Sequence, residues 1–167
     1  MQQDDFLEEK AAVQRAAIAY RARWMALVFE ELEKDGIPAG RIEHTLRRAV
    51  RRCGQMDGLD YRSHAKDPGS VEEVIRTRFA NEMGRASFCQ RDIVADEQAG
   101  TVHCSFCPLV DAWEKMGLAP ERVELLCDIA MDGDRALLEL LGFSMKLPCT
   151  LARGDGDCTM HYSKNAG

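Results

Sequence analysis

The chain has no apolar run approaching the ~20 residues that a membrane-spanning helix needs, so a transmembrane protein is not expected. Internal repeats and low-complexity linkers are absent too, which leaves no reason to divide it into separate domains. Met1-Gln2-Gln3-Asp4-Asp5 places acids where a secretory leader carries lysines and then an apolar stretch, and a cytoplasmic location is the expectation. An excess of basic charge is also missing. The net charge is −6; residues 1–90 hold fifteen basic and fifteen acidic side chains, and residues 91–167 hold seven and thirteen. So acidic a second part excludes nucleic acid as its partner. Cysteine is plentiful by contrast, but seven is an odd number, and in a reducing compartment most would stay thiols rather than form a disulfide scaffold.

At 167 residues, 46% hydrophobic and 30% charged, the chain can bury a core without cross-links. It reads as a single domain, 1–167, mainly helical over 4–84 and with a cysteine-containing α+β part over 85–163. Residues 4–35 are expected as one long helix. Val13, Ala17, Tyr20, Trp24, Leu27 and Val28 recur at helical spacing, and Ile18, Met25, Phe29 and Leu32 form a second stripe. So wide an apolar arc suits packing on two sides, and a homodimer is one way to cover the second. A second helix is expected over 41–52, with Gly54 and Gly58 bracketing an irregular stretch, and a third over 70–83 with Ser70 as its N-cap. Strands follow at 87–95 and 101–106, then helices over 109–116 and 120–141, and a closing hairpin of 143–152 with 158–163. The fold class is α+β: N-terminal helices, then two β-hairpins forming a small antiparallel sheet with helices inserted between them. On the second helix Arg41, Arg48 and Arg52 share a side, with Arg47 and Arg51 beside them. This basic group is either a solvated face pairing with neighbouring acids or an anchor, for an anionic substrate or for the acidic half of the protein.

Chemistry concentrates in three short pieces: His103-Cys104-Ser105-Phe106-Cys107-Pro108, Leu125-Leu126-Cys127-Asp128, and Gly154-Asp155-Gly156-Asp157-Cys158-Thr159-Met160-His161. Thiols beside imidazoles suit metal binding or covalent chemistry. Cys104-x-x-Cys107 with Cys158-x-x-His161 makes a Cys3His zinc set, and the same cysteines allow an iron–sulfur cluster. Residues three apart on a strand point to opposite faces, however, so each pair converges only where its strand breaks. Grouping by face puts His103, Ser105 and Cys107 together, and Cys158 with Met160 and Tyr162. On the helix after Pro120, Val123, Cys127, Ala130, Leu137, Leu138 and Leu141 form an apolar stripe that Asp134 interrupts, two turns or ~10 Å from Cys127. A carboxylate on a core stripe must find a partner or shift its pKa, and such groups concentrate at functional sites. Cys53, Cys89 and Cys149 read as packing; His44 and His64 read as exposed.

Cys107-Pro108 with an acid and a helix after it, Leu126-Cys127 some twenty residues on, and the closing Leu151-Ala152-Arg153-Gly154-Asp155-Gly156-Asp157-Cys158 resemble the 2-aminothiazoline-4-carboxylate hydrolase family over roughly residues 80–162. The resemblance implies hydrolytic opening of a cyclic isothiourea-like carbon in a small-molecule substrate, giving a carbamoyl thioether, and it marks Cys107, Cys127 and Cys158. A thiolate attacks such a carbon, a carboxylate holds the amidinium and an imidazole moves protons. Cys127 is accordingly expected as nucleophile, Asp134 as amidinium partner and His103 as acid–base, with Cys107 and Cys158 lining the pocket and no cofactor required. The alternative is a metal- or iron–sulfur-binding sensing module on the same cysteines, with Cys104, Cys107, Cys158 and His161 as ligands.

Overall fold

The computed structural model describes the backbone of residues 2–166 and the side chains of residues 5–166. Its architecture is α+β. Helix α1 (Gln2–Lys34) and helix α2 (Ala39–His64) come first, then α3 (Val71–Val74), which widens into a π-helical turn at Ile75–Phe79, and α4 (Glu82–Phe88). Hairpin β1 (Gln90–Ala95) and β2 (Ala99–Cys104) follows; helices α5 (Pro108–Lys115) and α6 (Pro120–Leu140) precede β3 (Phe143–Cys149), a 3-10 turn at Leu151–Arg153 and β4 (Cys158–Lys164). All strand pairs are antiparallel and the sheet order is β1-β2-β4-β3, so the two hairpins join through β2 and β4.

Three expectations change. The second helix does not end near residue 52 but runs through both glycines to His64. These glycines are contact points: a Cβ on Gly54 would stand 1.9 Å from the Gly133 carbonyl oxygen, and one on Gly58 would stand 3.3 Å from Leu137 Cα. Bare backbone there lets α2 lie directly on α6. The third helix is interrupted, because Asn81 accepts the Gly84 N–H at 2.9 Å and caps a new helix. That helix closes on Cys89 in the left-handed region, φ 49°, so the first strand starts at Gln90 rather than 87.

Two apolar cores result. One joins α1, α5 and the first half of α6 around Phe29, Trp113, Leu126 and Ile129, with the Trp113 indole N–H donating to the Ala22 carbonyl at 2.8 Å. The other joins α3, the sheet and the second half of α6 around Val74, Val102, Leu138, Phe143 and Tyr162. Helix α6 runs through both, and the site cysteines sit along the seam: Cys107 and Cys127 pack on the first core, Cys104 and Cys158 on the second.

Candidate active site

Glu124, Cys127, Asp128, Met131 and Arg135 recur at helical spacing on one face of α6. Opposite them stand Leu147 from β3 and Thr150 and Arg153 from the turn after it, enclosing a cavity of about 110 Å³. The turn is preset: Thr150 Oγ1 accepts the Arg153 N–H at 3.3 Å and Asp155 accepts the Thr150 N–H at 2.8 Å. Arg153 is then steadied by Asp155 at 3.2 Å and the Pro148 carbonyl at 2.5 Å. So small a cavity admits a small polar molecule rather than a drug-sized one.

Beneath the cavity lies a closed ring of ion pairs that the sequence pattern did not single out. Arg47 donates to Asp128 at 2.7 Å and to Asp132 at 2.9 Å, and Arg135 donates to the other oxygens of the same two carboxylates at 2.7 and 2.9 Å. Burial alone would raise the Asp128 carboxyl, but the hydrogen bonds from Arg135 and Arg47 outweigh it and hold it below the usual carboxylate range. Arg51 also reaches Glu139. Of the two readings of the basic cluster, Arg47 and Arg51 therefore follow the anchor to the acidic half.

The thiols are electrostatic neighbours. Burial first, then the nearby Cys107 and Cys158, push Cys127 up to about 12, and burial with Cys107 pushes Cys158 up to about 11. Burial raises Cys104 further still. Cys107, the residue before Pro108 at the start of α5, is also raised by burial, although the backbone N–H groups of Val110 and Leu109 pull the other way. Asp134 is partly buried, and among the described residues no hydrogen bond or ion pair reaches its carboxylate. Burial holds it above the usual carboxylate range, with Arg78 and Arg21 opposing, and its charge is felt at Cys107 and Tyr162.

His103 does not join Cys107, because β2 ends at Cys104 before the strand reaches it. His103 faces the other side of the sheet from Val102 and Cys104, bonded to Asp157 at 2.9 Å and Thr159 at 3.2 Å. The Cys3His set is not assembled either. Cys104 and Cys158 are cross-strand partners, but His161 lies on the opposite face against Thr101 at 3.0 Å. Among the described residues no three His, Cys, Asp or Glu side chains gather closely enough to hold a metal ion.

The fold and site define a class: helices covering a four-stranded antiparallel sheet, with a small, mainly polar cavity holding the Cys127 thiol where the C-terminal hairpin meets its helix. The family model of L-2-amino-thiazoline-4-carboxylic acid hydrolase matches residues 16–162, and the chain belongs to that family. No curated protein matches it. Among solved structures it is similar to trafficking protein particle complex subunit 3 from Naegleria fowleri, a protein covalently bound to palmitic acid there. The TM-score is 0.59 and the identity 11%, over 90% of this chain and 96% of that one. That likeness shows the fold alone. No helix among the described residues is long and apolar enough to cross a membrane.

Proposed function

We propose that the chain hydrolyses a cyclic amidine of the 2-aminothiazoline-4-carboxylate kind, with Cys127 as nucleophile. The observation that carries this reading is that Cys127, marked by the family motif, is the site cysteine that lines the cavity. Its sulfur adds to the carbon between nitrogen and sulfur as its proton passes to the ring nitrogen. The exocyclic nitrogen's lone pair then opens the ring C–N bond, the amine leaving with the electron pair and taking a proton from that nitrogen. Water displaces the Cys127 sulfur, which regains its proton, to give the carbamoyl thioether. Arg153, which lines the cavity and stands outside the Asp128–Asp132 ring, is the anchor for the substrate carboxylate. Asp134, Cys107 and Cys158 stand outside the cavity lining: Asp134, two turns along α6 from Cys127, supports the amidinium by its charge, and the two cysteines back the site. His103 takes no part. Turnover of 2-aminothiazoline-4-carboxylate, followed as formation of the carbamoyl product, tests this. Cys127→Ser is expected to lose about 10³-fold or more in kcat, and Cys107→Ser less than about tenfold. Full activity in Cys127→Ser together with none in Cys107→Ser would move the nucleophile to the start of α5.

A further inference from the structure

Helix α1 buries Ala11, Ile18, Ala22, Ala26 and Phe29 against α4 and α5, leaving its other apolar stripe uncovered. Val13 is 72% exposed, Tyr20 58% and Trp24 59%, and Phe6, Leu27 and Val28 extend the same face. These six side chains leave on the order of 600 Å² of largely apolar surface, taking roughly 150–250 Å² for each aromatic. A monomer rarely shows a continuous apolar patch above a few hundred Å², whereas ~800 Å² per partner is a standard interface.

The pattern along the stripe specifies its occupant. Its apolar block runs from Val13 to Val28 and is close to symmetric about a point between residues 20 and 21, with Ala17 and Trp24 at matching distances. Lys10 precedes the block and Glu31 follows it, both exposed. An antiparallel second copy sets Val13 against Val28, Ala17 against Trp24, and Lys10 against Glu31 at both ends. A parallel copy would set lysine on lysine and glutamate on glutamate. The bridge that Glu31 makes with Lys34 in its own helix, at 2.6 Å with both side chains 66% exposed, is open enough to be shared. We infer that the exposed stripe of α1 is the interface of a two-fold homodimer in which the two α1 helices pair antiparallel.

Sedimentation of the full chain between about 1 and 100 µM reads this directly. The wild type is expected to be dimeric. Trp24→Glu, at an exposed position where circular dichroism should be unchanged, is expected to be monomeric. Lys10→Glu and Glu31→Lys should each weaken the dimer about tenfold, and the double swap should restore it. A monomeric wild type across that range overturns the inference. A monomer that instead sediments with phosphatidylcholine/phosphatidylserine vesicles overturns it in favour of a lipid surface. Single swaps without effect overturn the antiparallel register.

Discussion

A thiol among apolar neighbours keeps its proton, and Cys127, pushed up to about 12, keeps it throughout the neutral range. The attacking thiolate must then be generated in the complex, where a neutral amidine nitrogen beside the sulfur can accept the proton. The free protein should therefore react slowly with iodoacetamide at Cys127, and the rate should keep climbing with pH well past the 8.5 or so where an ordinary thiol levels off. Peptide mapping across a pH series checks this; a plateau below pH 9 would mean an activated thiolate in the resting site. Asp134 has the complementary signature. Its folded-state pKa is raised, so any stability linked to its proton is present at low pH and is lost as pH rises through the folded value. At neutral pH its charge is a cost. Asp134→Asn should therefore stabilise the fold by about 1 kcal/mol at pH 7, with the gain fading toward pH 4, while turnover falls. A destabilised Asn variant would show that the carboxylate has a structural partner instead.

At the level of elements, the contact between α2 and α6 carries a sharp asymmetry. A methyl on Gly54 collides with the backbone of Gly133, whereas a methyl on Gly133 meets Val50 Cγ1 at 3.4 Å and the Val50 carbonyl oxygen at 3.6 Å, both ordinary contacts. Gly54→Ala should cost about 2–4 kcal/mol. Gly133→Ala should be neutral or gain up to about 1 kcal/mol from helix propensity. Urea denaturation of both variants decides it, and equal costs would mean that the helices do not cross at Gly54. This contact also shows where the sequence was legible. Pro108, Pro120 and Gly142 punctuate α5 and α6 as local rules require, so those helices fall within a residue or so of expectation. Gly54 and Gly58 obey a tertiary rule, close approach to a helix some eighty residues away, which local reading mistakes for a break. The site divides in the same way. Helical spacing and the motif singled out Cys127, which lines the cavity, and Asp134, which does not. His103 was grouped with Cys107 on the expectation of a longer strand, whereas β2 ends at Cys104, and Arg135 and Thr150 gave no signal until β3 folded back on α6.

The two cores are joined through α6, and α2 is clamped to that helix by the ring of Arg47, Asp128, Arg135 and Asp132. The whole molecule should respond to pH at both ends of the scale. Asp128 has a depressed carboxyl, so its contribution is present above the unfolded carboxylate pKa near 4 and is lost as pH falls through the folded value. Cys104, Cys127, Cys158 and Tyr162 are raised by burial. Their contribution is present below the unfolded thiol and phenol values of about 8.5 to 10 and is lost above them, as the unfolded chain ionises first. Stability should accordingly be flat between about pH 5 and 8 and fall on both sides. Arg47→Met separates the two limbs. It leaves Asp128 and Asp132 with one arginine between them, at a neutral-pH cost of about 1–2 kcal/mol, held down because Asp128 is partly open to water. The acid limb should become shallower as Asp128 returns toward its ordinary value, while the alkaline limb, which depends on groups Arg47 does not touch, stays where it was. Urea midpoints at pH 3.5, 7 and 10 for the two proteins make the comparison. An unchanged acid limb in Arg47→Met would show that the ring is not what couples the helical half to α6.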